Sequence, residues 1–313
     1  MLIPGIMLTI PAIFLLACFI CYRMAFYAPP RKPRPEGFID LPPGKVYEPF
    51  YQQMTNWTIQ VRALCPKHFQ ITSFDGLQLH ASYYEYAPGA PMEILFHGYR
   101  GNAERDLPGG VQRSFACGRS ALVVDQRCAG RSEGKTITFG IKERRDCLFW
   151  VDFAVAQFGP DVKIILTGIS MGAATVLMAA GEKLPENVIG ILADCGYSTP
   201  KAIIQKVIKD LKLPPGLCWP FVRWGAKLFG GFDPEETSPL DAMKRCEKPV
   251  IFFHGEEDGF VPCYMSREVY DACPTRKAIR TVPGAGHGLS YPVDMEGYLA
   301  ALKDFFEPEA SAW

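Results

Sequence analysis

The chain has 313 residues, 48% of them hydrophobic, enough for one large α/β domain or two small ones. Lysine plus arginine and aspartate plus glutamate each number 33, so no net field attracts nucleic acid or repels an anionic substrate. The 11 cysteines are odd in number and follow no framework spacing, which argues against a disulfide scaffold and for a reducing compartment.

The run from Leu2 to Tyr22 carries no charge and matches the roughly 20 residues that a membrane-spanning helix needs. No basic stretch precedes it and no small-residue cleavage site follows it. Residues 1–24 are therefore expected to be a retained transmembrane anchor rather than a cleaved signal. Arg23, Arg31, Lys32 and Arg34 lie on its carboxyl side, which predicts a single-pass protein of the cell membrane with the bulk of the chain in the cytoplasm. Residues 25–50, rich in proline and glycine, are expected to be a linker holding a domain of residues 51–313 off the bilayer.

A helix is predicted over Tyr51–Leu64, then a hairpin over Phe69–Tyr86 that turns at Asp75-Gly76. Short apolar strands follow at Met92–Phe96, Ala121–Asp125, Lys163–Thr167, Val188–Asp194, Pro249–His254 and Ala278–Val282. Helices are predicted at Ile141–Gln157, Met171–Lys183 and Tyr264–Ala272, with a last one near Asp294–Phe306. A hairpin followed by such repeats predicts a mostly parallel sheet covered on both faces, with functional groups beyond the carboxyl ends of its strands.

An insertion at about 199–240 separates two of these strands. Ile203, Ile204, Val207, Ile208 and Leu211 share one helical face, which Lys201, Lys206, Lys209 and Lys212 avoid; Trp219, Phe221, Trp224, Leu228 and Phe229 come next. It is expected to form a helical cap, one able to rest on an anionic bilayer or shape an acyl pocket. The plainer reading is a helix packed on its own domain with its lysines in water.

Gly168-Ile169-Ser170-Met171-Gly172 lies between a β-rich apolar stretch and a helix-forming one, the setting of a nucleophile elbow. The glycines suit a reversal so sharp that a β-carbon would collide with the adjoining strand or helix. Ser170 is then the expected nucleophile, exposed at the amino end of a helix. It needs a base and a group to orient that base. His287 follows the last strand on a glycine-rich loop, whereas His68, His80, His97 and His254 have structural explanations. For the orienting carboxylate Asp258 is preferred, since its loop neighbours that of His287; Asp194, at a strand end, is the second contender. Oxyanion donors are expected from the backbone N–H groups of Met171 and Tyr99, the latter in His97-Gly98-Tyr99-Arg100-Gly101. Ala129–Thr136 fits a permissive phosphate-loop pattern but lacks a helix-forming continuation, and no metal-ligand spacing is present, so neither nucleotide binding nor a metal site is expected.

These motifs, with Asp125-Gln126-Arg127 and Gly130-Arg131-Ser132 in order between them, resemble the α/β-hydrolase superfamily from about Lys67 to Phe306. The nearest resemblance is to its serine-aminopeptidase-like and prolyl-oligopeptidase-like branch, especially bacterial single-pass membrane-anchored members. It implies a Ser170–His287–Asp258 triad, an oxyanion hole at Tyr99 and Met171, and no cofactor. One departure is Cys128-Ala129, where relatives often carry Gly-His or Gly-Cys. The activity expected is hydrolysis of carboxylic esters or thioesters of small molecules, with an acylated or lipid-derived substrate suggested by the anchor and the aromatic cap. The alternative is a peptidase acting on short peptides, for which Glu235-Glu236 is a weak candidate amine-binding pair.

Overall fold

A computed structural model of the protein describes residues 3–29, 35 and 37–307, with the side chains of the first helix described from Ile10 onward. Met1, Leu2, Arg31, Lys32 and Arg34, which entered the reading of the anchor, lie outside the described residues. The chain opens with helices α1 (Ile3–Ala25) and α2 (Tyr51–Arg62) and a hairpin of β1 (Lys67–Thr72) and β2 (Gln78–Tyr84). Then come β3 (Met92–Phe96), α3 (Ala103–Asp106), α4 (Pro108–Ala116), β4 (Ser120–Asp125), α5 (Glu143–Phe158), β5 (Ile164–Ile169), α6 (Met171–Ala179) and β6 (Val188–Asp194). The insertion supplies α7 (Pro200–Asp210) and α8 (Pro215–Gly225). After α9 (Pro239–Met243) follow β7 (Val250–Gly255), α10 (Tyr264–Ala272), β8 (Lys277–Val282), α11 (Ser290–Val293) and α12 (Met295–Phe306).

The eight strands form one sheet in the order β1-β2-β4-β3-β5-β6-β7-β8. Strand β2 runs antiparallel to β1 and β4, and the other pairings are parallel. Strands β3, β4 and β7 are buried at every position, the pattern of parallel strands covered on both faces. On one face Trp150 of α5 and Val176 of α6 pack over Ile94 and Leu166; on the other, Tyr298, Leu302 and Phe305 of α12 pack over Ile251 and Phe253. A buried charge interrupts β3: Glu93 receives Arg113 Nη2 at 2.7 Å, Arg119 Nη1 at 3.0 Å and the Thr167 hydroxyl at 3.0 Å.

Helix α4 is absent from the sequence expectations because Gly109 and Gly110 sit in its first turn. Bulk is excluded there: a β-carbon at Gly109 would lie 2.8 Å from the Trp57 ring, and one at Gly110 2.6 Å from Leu95 Cδ2. Helix α6 stops at Ala179, short of the expected Lys183, and a β-carbon at Gly181 would lie 2.7 Å from Ala242 Cα.

The transmembrane anchor expected over residues 1–24 finds no support among the described residues. Among the described residues no helix is long and apolar enough to cross a membrane. Helix α1 lies instead against α8, with Cys18 wholly buried and Tyr22 nearly so. Phe14 meets Phe221 at a ring separation of 5.4 Å and Phe19 meets Phe229 at 5.2 Å. A β-carbon at Gly225 would lie 2.4 Å from the Cys18 carbonyl oxygen, so the two helix backbones are in contact. The residues after α1 are also fixed: Ala28 N donates to Lys135 O at 2.9 Å and Ile137 N to Phe26 O at 2.8 Å. The linker expected over 25–50 is thus tied to the domain at its start, and Tyr47 and Phe50 pack near Val282 and Leu289. An uncharged run specifies an apolar partner, and here one side of that partner is protein.

The insertion packs on its own domain, as in the plainer reading, but Lys201 and Lys206 are engaged rather than free in water. Ile203, Ile204 and Ile208 of α7 and Trp219 and Val222 of α8 join a cluster with Met171, Met178 and Tyr197. Lys201 pairs with Glu235 at 2.7 Å, and Lys206 with Asp210 at 2.6 Å.

Candidate active site

Strand β5 ends at Ile169 and α6 begins at Met171, leaving Ser170 at the apex with φ 57° and ψ −117°. A residue with a β-carbon takes this conformation only when its surroundings impose it. They do so through the glycines. A β-carbon at Gly168 would lie 2.1 Å from the Gly172 carbonyl oxygen, and one at Gly172 would lie 2.0 Å from that of Phe96. Ser170 N also donates to Asp194 O at 2.8 Å, tying the apex to the end of β6.

His287 reaches this apex from the loop after β8, with Nε2 at 2.9 Å from Ser170 Oγ. Its Nδ1 lies 2.7 Å from Asp258 Oδ2. Because a carboxylate only accepts, Nδ1 carries the proton and Nε2 is left to accept the serine hydroxyl proton. Burial acts to raise the Asp258 pKa, but hydrogen bonds from His254 and His287 outweigh it and hold the carboxyl below its usual range. Its other oxygen accepts from Phe260 N at 2.9 Å and Val261 N at 2.8 Å. The carboxylate is therefore ionised and held at both oxygens.

Asp194 is engaged elsewhere. Its oxygens accept from the hydroxyls of Ser290 at 2.9 Å and Tyr298 at 3.1 Å, bracing β6 against the carboxy-terminal helices. Burial raises its pKa. His254 bridges Ser266 Oγ at 2.7 Å and the Val261 carbonyl at 2.8 Å, and so steadies the Asp258 loop. His97 serves the turn before Tyr99. Its Nε2 accepts from Gln126 N at 3.1 Å, which leaves Nδ1 to donate to Gly98 O at 2.8 Å. Across a trans peptide the Gly98 carbonyl and the Tyr99 N–H point in opposite directions, so Tyr99 N–H faces away from His97. Asp106 Oδ2 accepts from Gly98 N at 3.1 Å, and Arg105 Nε holds Asp106 at 2.6 Å. Met171 N heads the first turn of α6, where an N–H has no partner inside the helix.

The row Ser170–His287–Asp258 opens on a cavity of about 710 Å³. Its walls include Val46, Met54, Trp57, Leu95, Leu107, Ile169 and Tyr291, with Tyr99 and Gly98 at the serine. Among the described residues of the insertion, 199–240, none lines it, so the cap does not shape this cavity. The roof comes from segment 42–58, and the cap reaches only the rim, where Lys206 Nζ donates to the Gly259 carbonyl. Glu235 is held by Lys201 and Arg223, and Glu236 by Arg144, so both candidate amine-binding carboxylates are already engaged. Among the described residues, Cys195, Asp258 and His287 are the one group whose ligand atoms could share an ion, lying within 4.8 Å of one another. Burial keeps the Cys195 thiol protonated, its pKa raised well above the ordinary value, and the histidine and carboxylate are bonded to each other. The group does not fit a metal.

No protein-family model matches the chain. The uncharacterized protein YqkD of Bacillus subtilis (strain 168) is 28% identical over 191 residues, 61% of this chain and 63% of that protein. The match thus spans less than two thirds of that relative's length. The alpha/beta hydrolase domain-containing protein aho-3 of Caenorhabditis elegans is 33% identical over 76 residues, 23% of this chain and 21% of that one. Among solved structures, Pyrococcus furiosus esterase Pf2001 superposes with a TM-score of 0.65 at 23% identity, over 81% of this chain and 94% of its own. The chain has the α/β-hydrolase fold. Est1E of Butyrivibrio proteoclasticus with ferulic acid bound shares this hydrolase fold at a TM-score of 0.59 and 22% identity, over 78% of this chain and 99% of its own. An acylaminoacyl peptidase shares it at 0.56 and 20% identity, over 77% of this chain and 41% of its own.

Within the hydrolase fold, sequence reading did not find Asp106, Trp57 or Tyr47. Asp106 lies four residues past the Asn102 that caps α3, and its bond to Gly98 joins two ends of one loop. Trp57 and Tyr47 reach the cavity from the amino-terminal segment, far in sequence from Ser170.

Proposed function

We propose that the protein is a serine hydrolase that cleaves carboxylic esters, thioesters among them. The observation that carries this reading is the hydrogen-bonded row Ser170–His287–Asp258 at the mouth of a largely apolar cavity. Ser170 Oγ attacks the carbonyl carbon while His287 Nε2 takes its proton. The carbonyl oxygen becomes negative and is met by the N–H groups of Tyr99 and Met171. His287 then passes its proton to the departing alkoxide or thiolate, leaving Ser170 acylated. Water, deprotonated by the same nitrogen, releases the acid. Asp258 keeps the proton on Nδ1 throughout and stabilises the imidazolium between steps.

The esterase likeness of Pf2001 and Est1E supports ester over amide hydrolysis. The engagement of Glu235 and Glu236 removes the amine site that a peptidase reading called for. The apolar walls support an acyl or aryl group on the substrate. The test is a series of p-nitrophenyl esters of increasing chain length, with an acyl-thioester and a short peptide anilide beside them. The reading predicts kcat/KM that rises and then falls with chain length and no turnover of the anilide. Turnover independent of chain length contradicts it.

We also propose that α1 brings this protein to a cell membrane, with the hydrolase domain on the cytoplasmic side, as in the membrane-anchored bacterial branch of the superfamily. Ile10, Ile13, Leu16, Ile20 and Met24 form an exposed apolar stripe on the side of α1 away from α8, and Arg23 ends the uncharged run. Sedimentation of the full chain with anionic phospholipid vesicles tests this. Loss of binding in Ile13→Asp/Leu16→Asp is expected, and absence of binding by the unaltered chain contradicts it.

A further inference from the structure

The carboxyl end of α1 and the loop that carries Tyr99 are joined by side chains of that loop. Tyr99 Oη donates to Ala25 O at 2.7 Å. Arg100 Nη2 donates to Met24 O at 2.8 Å and, more weakly, to Tyr27 O at 3.4 Å. Carbonyls in the last turn of a helix have no partner inside it, and the negative end of the helix dipole favours a cation. The loop thus supplies both a hydroxyl and a guanidinium to a helix end that needs them.

The dependence runs the other way as well. Arg100 has φ 55°, in the left-handed region, where a residue with a β-carbon stays only when held. From inside, His97 fixes the Gly98 carbonyl and Asp106 fixes the Gly98 N–H. Beyond Gly98 the chain is held by the turn itself, in which Gly101 N donates to Gly98 O at 3.1 Å, by the Tyr99 ring, 5.0 Å from that of Phe139, and by the two bonds to α1. The Tyr99 N–H lies between these two sets of restraints.

We infer that the carboxyl end of α1 positions the oxyanion loop, so that Tyr99 and Arg100 act through their side chains as positioning residues for the Tyr99 N–H. This rests on the ester-hydrolase reading above. Helix α1 is then part of the catalytic apparatus, seated on α8 at one side and holding the oxyanion loop at its end. An oxyanion donor works only about 2.7–3.1 Å from the oxygen that becomes negative, and its complete loss costs roughly 10²–10³ in rate. Loosening it is expected to cost about 10-fold in kcat, with KM for a short soluble ester changed less than about 2-fold, since the interaction belongs to the transition state.

The test uses the full chain and two variants that reach the loop from opposite directions. Tyr99→Phe keeps the ring and the N–H and removes only the bond to Ala25. Gly225→Ala puts a β-carbon 2.4 Å from the Cys18 carbonyl and shifts α1 from α8 without altering a cavity residue. Each is expected to lower kcat and the rate of fluorophosphonate labelling about 10-fold, and the double variant to be no slower than the slower single, since both break one linkage. If Gly225→Ala fails to fold, as judged by its thermal transition, Arg100→Met takes its place in the cycle. An unchanged kcat in Tyr99→Phe overturns the inference while leaving the hydrolase reading intact, and so do losses that multiply in the double variant. A folded wild type that neither turns over esters nor takes the label overturns the hydrolase reading, and this inference with it.

Discussion

The carbonyl oxygen of Phe96 occupies the space that a side chain on Gly172 would need, with 2.0 Å between it and an added β-carbon. That contact holds the end of β3, and with it the Tyr99 loop, directly over the first turn of α6. Gly172→Ala is therefore expected to destabilise the fold by about 3 kcal/mol, the upper range of overpacking. Because the displaced atoms are backbone rather than a flexible side chain, kcat is expected to fall as well. Urea unfolding and steady-state kinetics on the same variant check both.

Asp258 and Asp194 make different demands. Asp258→Asn is expected to lower kcat by about 10⁴, because an amide in its place no longer selects the tautomer with the proton on Nδ1. Asp194→Asn removes an acceptor for the Ser290 and Tyr298 hydroxyls, so its effect is expected mainly on thermal stability. Kinetics and thermal unfolding of the two variants, side by side, separate the roles. The reverse pattern would transfer the orienting role to Asp194.

Asp258 also predicts a pH dependence of stability. Its folded pKa lies below its unfolded value, which is near 3.9. The contribution of its ionised form is fully present above that unfolded value and is lost as pH falls through the folded one. The part of the unfolding free energy that wild type has over Asp258→Asn through the ionised carboxylate is expected to be lost only below about pH 4. Loss of that part already near neutrality would contradict the assignment.

Glu93 is fully buried between two arginines that are themselves almost wholly buried. Burial acts to raise its pKa, and the charges of Arg113 and Arg119 outweigh that and keep it ionised. Glu93→Gln leaves those guanidiniums without their shared counter-charge and is expected to cost about 3–5 kcal/mol, because breaking one side of a buried pair leaves an uncompensated charge. Denaturant unfolding of the variant measures it.

What could be read from the sequence followed the range of the interaction. The elbow was legible because its glycines and its serine lie within five consecutive residues and answer to one local constraint, as were the mostly apolar strands that are buried at every position. Asp258 was preferred from the place of its loop in the chain, but what engages Asp194 needed the fold, since the hydroxyls that occupy it come from Ser290 and Tyr298. Trp57 and Val46 in the cavity wall and Arg113 beside Glu93 gave no local signal, for each acts on a residue brought near only by the sheet. The run from Leu2 to Tyr22 was legible as apolar, but the docking of its stretch from Phe14 to Tyr22 was not, because lipid and the face of α8 select the same side chains.

The most direct test of the central claim is covalent labelling of the 313-residue chain by a fluorophosphonate, with Ser170→Ala as the comparison. The account predicts stoichiometric labelling of the wild type, located by peptide mapping to Ser170, and no labelling of a folded Ser170→Ala. A folded wild type that is not labelled, or a Ser170→Ala variant labelled as fast as the wild type, would contradict it.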